Sequence, residues 1–241
     1  MPERRLLVVD DPIAAAADVV VADLRAAIRQ RGVVGLVLAG GGTPLALYHV
    51  LAERSGVDWS STHVFWGDER LVSPDDPGSN YHAAWAALLS RVDLPAANVH
   101  RMRGELPPDE AAADYVARLR DWARTHDPGT PHPWPRFDVV LLGLGEDGHT
   151  ASLFPGSPPA PPQPVVAVTA DYQGRPAGRI TLTPRVFNDA RDVIFLVTGA
   201  NKADAVRETL HADDPTRLPA QRIHPDYGRV TWLLDRAAAG E

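Results

Sequence analysis

The run Gly143-Leu144-Gly145-Glu146-Asp147-Gly148-His149 puts an aspartate two residues before a histidine, with a glycine between them. Histidine is the side chain most readily poised as a proton acceptor near neutral pH. Asp147 can orient the ring or hold its proton, and Gly148 lets the backbone turn sharply between the two. The pair reads as a general base, His149, with an orienting partner, Asp147. Taken alone, it could equally be a turn histidine bonded to backbone. The same run satisfies G-x-G-x-x-G, but a dinucleotide-binding turn needs a helix opening at its third glycine. Here Gly148 leads into His-Thr-Ala-Ser-Leu-Phe-Pro-Gly and a stretch with six prolines between Pro155 and Pro164. No long helix fits there, and the acid at the required distance, Asp171, lies beyond that stretch. Other chemistries have less support. The chain has no cysteine, no Gly-x-Ser-x-Gly elbow and no His-Glu-x-x-His, and its other histidines fall at no ligand spacing with His149. We therefore expect no metal, no cofactor and no serine or thiol nucleophile.

Three further polar clusters could complete a site. Gly40-Gly41-Gly42-Thr43-Pro44 is a glycine loop running into a helix start, where bare backbone N–H groups and the helix dipole favour an anion. It is not a Walker A loop, because no Gly-Lys-Ser/Thr follows. Gly67-Asp68-Glu69-Arg70 offers a cation, Arg70, with two acids that could hold it in an ion pair. Gly199-Ala200-Asn201-Lys202 carries the lone lysine of a chain with 24 Lys and Arg. Lysine is a compact point charge that a guanidinium does not imitate. The net charge of −7 argues against a general nucleic-acid binder. An acidic protein that holds a phosphate must gather its cations at the site.

Each cluster follows a short apolar run that reads as a buried strand: Val33 to Ala39, His63 to Trp66, Phe137 to Leu142, and Asp192 to Thr198. Val165 to Thr169, Arg179 to Thr183 and Arg229 to Leu234 are further strands. Helices are predicted over residues 12–31, Leu45 to Arg54 (Thr43 as N-cap, Pro44 at the first position), Asn80 to Val92, Pro108 to His126 and Asn201 to His211. Buried strands alternating with helices predict an α/β fold, a mainly parallel central sheet with helices on both faces. One domain over residues 1–241 is the expectation, since the proline stretch is too short to separate two cores. In such sheets ligands bind beyond the C-terminal ends of the strands, so the four clusters can share one crevice. No apolar run is long enough to cross a bilayer and no signal core follows Met1, so a soluble, cytoplasmic protein is expected.

Taken together, the segments Leu38 to Pro44, Phe65 to Val72 with Ser79-Asn80-Tyr81, Leu141 to Gly156, Arg179 to Thr183 and Gly199 to Ala203 resemble the 6-phosphogluconolactonase family over almost the whole chain. The resemblance implies the fold shared with glucosamine-6-phosphate deaminase and ribose-5-phosphate isomerase. It also implies hydrolysis of a phosphorylated sugar lactone in the oxidative pentose phosphate pathway. On this reading His149, Asp147 and Arg70 carry the chemistry. Gly41, Gly42, Thr43, Asp68, Arg179 and Lys202 bind the substrate, a small-molecule sugar phosphate lactone. Gly42 stands where the family usually has serine, which removes a hydroxyl from the phosphate loop. The competing reading is a glucosamine-6-phosphate deaminase. Those enzymes continue from the histidine as x-Ala-Phe-Asn-Glu-Pro, and here Phe154 takes the place of the proton-transferring glutamate. A non-catalytic sugar-phosphate sensor needs only the phosphate contacts. Neither nucleic acid nor membrane is an expected partner, a monomer or small homo-oligomer is, and the proline-rich loop is a candidate cover for the site.

Overall fold

Strands β2 (Val34–Leu38), β6 (Val139–Leu142) and β9 (Asp192–Val197) are buried at every position. A strand can be apolar throughout only if both faces of its sheet are covered, which is the parallel α/β arrangement. The computed structural model, which describes residues 3–158, 161–172, 174–211 and 217–241, has that arrangement. Its main sheet adds β1 (Glu3–Val8), β3 (Thr62–Trp66), β5 (Val99–His100) and β10 (Arg229–Leu234). The strand order is β1-β10-β9-β6-β2-β3-β5, and every pairing is parallel. All of its strand ends therefore point one way, and the polar clusters emerge on one side. The expected α/β class and mainly parallel sheet are both present.

The helices α1 (Pro12–Arg31), α2 (Gly42–Glu53), α3 (Asn80–Ala87), α4 (Pro108–His126), α5 (Pro184–Asn188), α6 (Ala203–His211) and α7 (Arg236–Ala239) fill the connections. Two tyrosines pin helices to the sheet. The Tyr48 hydroxyl of α2 donates to Ala39 O and accepts from Ala39 N, at 2.7 and 2.8 Å. Tyr115 of α4 does the same at Trp66, with its hydroxyl 3.1 Å from the carbonyl and 2.9 Å from the amide nitrogen. Both phenols are fully buried, and burial pushes both well above the usual phenol range. Each fixes the last residues of a strand just before a polar loop.

Three details differ from the sequence expectation. Helix α2 begins at Gly42 with Gly41 as its N-cap, at φ 107°, so Thr43 sits inside the first turn instead of capping it. Its hydroxyl lies 2.9 Å from that of Thr198, which ties the loop to the end of β9. Helix α3 stops at Ala87, and Leu89–Arg91 forms a separate 3-10 turn where a helix to Val92 was expected. The largest difference is a second sheet, antiparallel, in the order β4-β8-β7, built from β4 (Asp68–Arg70), β7 (Val165–Thr169) and β8 (Gly178–Leu182). Gly67 is the junction between the sheets. Its N–H donates to Leu38 O of β2 at 2.9 Å, and its carbonyl accepts from Leu182 of β8 at 2.8 Å. The chain leaves one sheet and enters the other in a single residue.

Candidate active site

The four strand-end clusters converge on one cleft of about 240 Å³. This lies below the roughly 300–1,000 Å³ typical of drug-sized ligand sites, so the cleft is small for a dinucleotide. Gly41, Gly42, Thr43, Asp68, Arg70, His149, Arg179 and Lys202 all line it. Asp147 does not, but it supports the residue that does.

The His149 loop is a tight, self-bonded turn. Gly145 N donates to His149 O at 2.8 Å, Gly148 N donates to Gly145 O at 3.0 Å, and the Thr150 hydroxyl donates to Gly143 O at 2.8 Å. Gly148 adopts φ 78°, which only glycine takes without strain. Among the described residues no helix opens at Gly148, and the next is α5, which removes the dinucleotide reading. His149 Nδ1 lies 2.6 Å from Asp147 Oδ1. Because a carboxylate only accepts, the ring proton sits on Nδ1, and the lone pair of the neutral ring is on Nε2. The His149 side chain is 15% exposed. Phe154 stacks on one face with ring centroids 4.7 Å apart, and Tyr172 meets it edge-on at 4.6 Å. Burial lowers the His149 pKa and outweighs the raising effect of Asp147. The imidazole is therefore held neutral, as a base requires.

Opposite the histidine loop, β4 pairs with β8 so that Asp68 faces Thr181 and Arg70 faces Arg179. The Asp68 carboxylate accepts from Ser152 Oγ at 2.6 Å and from Asn80 Nδ2 at 3.3 Å. The alternative, an ion pair holding Arg70 to Asp68 or Glu69, is not present among the described residues. Arg70 Nη1 donates to Gly78 O at 2.6 Å instead. Glu69 points into the fold and accepts from the backbone N–H groups of Arg70, Asn80 and Tyr81 and from the Ser79 hydroxyl, at 2.7–3.0 Å. Those four donors allow a carboxyl to be buried there, although burial still raises its pKa. Glu69 thus organises the start of α3 and leaves the Arg70 charge for the cleft.

The cations form the other wall. Arg179 is 2% exposed, yet its Nε and Nη2 have no hydrogen-bond partner among the described residues, and Arg70 Nε is in the same condition. Buried donors are nearly always satisfied, so these three nitrogens are exceptions to the rule, on two arginines that line the cleft. The Arg179 guanidinium sits 5.3 Å above the Phe154 ring. Among the described residues, neither Arg70, Arg179 nor Lys202 has a carboxylate oxygen within 4.0 Å. Lys202 ends a 3-10 turn that begins after Gly199, itself at φ 100° and held by Asp235, whose carboxylate accepts from Gly199 N at 3.0 Å. Asn201 of the same turn donates to Glu146 at 2.6 Å, which bridges the lysine and histidine loops. Gly40 lies flat against Asn80, so close that a Cβ there would be 2.6 Å from Asn80 Cγ.

The sequence reading missed Tyr172 and Arg175, which also line the cleft. They come from the β7–β8 hairpin tip, which carries no motif. A tyrosine and an arginine flanking a glycine between two strands were the signals available. The described part of the proline-rich loop contributes no residue to the cleft lining, and Pro159 and Ala160 lie outside the described residues. Among the described residues no cluster of histidines and acids could hold a metal ion.

Comparison with known proteins bears on the family and the fold. A curated 6-phosphogluconolactonase from Synechocystis is 42% identical over 214 residues, covering 88% of this chain and 86% of the relative. A solved 6-phosphogluconolactonase structure from Thermotoga maritima superposes with a TM-score of 0.85 at 28% identity, covering 97% and 100% of the two chains. One from Trypanosoma brucei gives 0.83 at 30% identity, covering 100% and 99%. The sequence model of the glucosamine-6-phosphate isomerases/6-phosphogluconolactonase family matches residues 9–232. With nearly the whole chain matched and its strand-end loops meeting in one cationic cleft, the protein belongs to the glucosamine-6-phosphate isomerase/6-phosphogluconolactonase family.

Proposed function

We propose that this chain hydrolyses 6-phospho-D-glucono-1,5-lactone to 6-phosphogluconate, the hydrolytic step of the oxidative pentose phosphate pathway. One observation carries the reading. His149, with Nδ1 committed to Asp147, lines the same small cleft as the cations Arg179 and Lys202 and the glycine-rich start of α2. A sugar with a carbonyl at one end and a phosphate at the other fits that division.

In the proposed reaction His149 Nε2 takes a proton from water as the oxygen attacks lactone C1. General-base help of this kind is worth ~10²–10⁴-fold. Negative charge develops on the carbonyl oxygen, where Arg70 is the available cation; removing one such donor typically costs about 2.7–4 kcal/mol. The C1–ring oxygen bond then breaks, and the imidazolium returns its proton to the ring oxygen. The new carboxylic acid ionises, so each turnover releases one proton. Asp68, fixed by Ser152 and Asn80, accepts from sugar hydroxyls. Gly41, Gly42 and Thr43 offer N–H groups to the phosphate, with Arg179 and Lys202 as its cations.

Phe154 argues against the deaminase chemistry of the family. It occupies the position of the proton-transferring glutamate and is instead stacked on His149, where it can only exclude water. A sensor would have no use for a base held neutral. We further propose a cytoplasmic protein acting on a small soluble substrate, a monomer or small homo-oligomer, without nucleic-acid or membrane partners. The net charge of −7 and the lack of a helix long and apolar enough to cross a membrane, among the described residues, fit this. The test is a pH-stat assay of acid release from the lactone, corrected for spontaneous hydrolysis. His149→Ala should lower kcat by at least ~10²-fold. Near-normal turnover in that variant would remove His149 as the base.

A further inference from the structure

The β7–β8 hairpin tip belongs to no motif, yet it reaches the base. Ala170 N donates to Ala177 O at 2.9 Å, and Arg175 N donates to Tyr172 O at 3.1 Å, with Gly174 turning between them at φ 65°. This closure sets the Tyr172 ring against His149, centroids 4.6 Å apart and planes at 74°. The same tyrosine ring stands 5.8 Å from Phe154, whose own ring stacks on the imidazole at 28°. His149 thus has three contacts: Asp147 at Nδ1, Phe154 stacked on the ring and Tyr172 packed against it at a steep angle. Two of the three are short-range neighbours in sequence. Tyr172 is the contact that comes from another sheet.

We infer that Tyr172 is a positioning residue for His149, its ring closing the imidazole off from water and holding the Nε2 lone pair on one line into the cleft. The inference rests on the proposed role of His149 as base. With Phe154 stacked on it and Tyr172 packed against it, the imidazole side chain is 15% exposed. An imidazole free to rotate about χ2 would lose that alignment, and small misplacements of a reacting group are costly. Burial is also the leading influence on the His149 pKa, and it acts downward. The charged and titratable groups that bear on the ring are Asp147 from its own loop, Asp68 from β4, Lys202 from the turn after β9 and the Tyr172 phenol. With the tyrosine ring removed, water returns and burial weighs less against the attraction of Asp147 for the imidazolium, although Lys202 still opposes it. The phenol group need not ionise for any of this. Burial first, then the carboxylates of Asp147 and Glu146, raise its pKa. It is the ring that acts.

The experiment compares Tyr172→Ala and Tyr172→Phe with the parent enzyme in two readouts. The first is the pH profile of kcat/KM on the lactone. The second is the NMR titration of the His149 ring nitrogens in the unliganded protein, which also reports that the variant is folded. Tyr172→Ala should move the acid limb and the His149 titration upward together, by at least half a pH unit, and lower kcat about tenfold with a smaller change in KM. Tyr172→Phe should restore both. An unmoved titration in Tyr172→Ala, or a Phe variant as impaired as the Ala variant, overturns the inference. Failure of the underlying reading looks different. The titration would still move, but activity would follow neither it nor His149→Ala.

Discussion

Gly145 is two residues from Asp147 and four from His149, and nothing about its own backbone demands glycine. What demands it is space. A Cβ at Gly145 would overlap the His149 ring at Nδ1 and lie 2.5 Å from Asp147 Oδ1, where ordinary contacts begin at 3.4 Å. The carboxylate is thus nearly 1 Å too close, and the ring closer still. The added methyl sits where the Nδ1–H···Oδ1 bond runs, so the histidine and aspartate must move apart or move together off their line. Misplacing a reacting group by about 1 Å costs on the order of 10²-fold, equivalent to about 2.7 kcal/mol of transition-state stabilisation. Gly145→Ala should therefore lower kcat about 100-fold with KM changed by less than about threefold, since the phosphate groups stand on other loops. Steady-state kinetics by pH-stat would measure it, and a thermal melt within a few degrees of the parent would show that the sheet is unaffected. Activity within fivefold of the parent would refute the argument, because it would mean the His149–Asp147 pair can be displaced without consequence.

Other outcomes follow from the same geometry. Lys202→Ala should raise KM about tenfold or more with little change in kcat, because the phosphate is remote from the reacting carbonyl; an unchanged KM would take Lys202 out of the phosphate subsite. Gly42→Ser restores the hydroxyl usual in the family at a position where a Cβ meets nothing within 4 Å. It should lower KM for the lactone about tenfold, the low end of the roughly 1.5–3 kcal/mol that a hydrogen bond to a charged group is worth, and a raised KM would contradict the assignment of that loop. His63 and His100 are joined by a 2.9 Å Nδ1···Nε2 hydrogen bond, and burial, then neighbouring histidines, holds both at about 4. The unfolded chain takes up protons near 6.5 that the folded one refuses until about 4, so these two residues cost stability progressively as pH falls through that window. His63→Phe should flatten the fall of melting temperature from pH 6.5 to 5 relative to the parent, a difference in which the opposing effect of Asp192, raised to about 6, cancels. Parallel curves would show that the pair does not titrate as described.

The legible parts of this structure share a cause. β2, β6 and β9 are apolar at nearly every position because both faces are covered, so each announces itself within four to six residues. The clusters that follow them are short, polar and glycine-rich, and a parallel sheet sends all of them to one side. That is why His149, Asp68, Arg70, Lys202 and the Gly40–Thr43 loop could be named together before their contacts were known. The less legible parts depend on partners distant in sequence. Asp-Glu-Arg does not look like a strand, and β4 exists because β8 pairs with it more than a hundred residues later. Glu69 resembled an ion-pair partner for Arg70, but its acceptors' needs are met by the backbone at residues 70, 80 and 81. Tyr172 and Arg175 have no local pattern, and only the closure of their hairpin brings them to the histidine. Thr43 has the right type for an N-cap, yet the preceding glycines let the helix begin earlier, and the hydroxyl turns to Thr198 instead.

The placement of β10 bears on how such a chain is made. It lies between β1 and β9, and the acid that follows it, Asp235, is the one that grips the Gly199 amide. The first strand of the sheet to leave the ribosome thus has no neighbour to bind until the last one emerges. The lysine turn waits for the same event. During synthesis, the grip of Asp235 on the Gly199 amide can form only after β10 has been made.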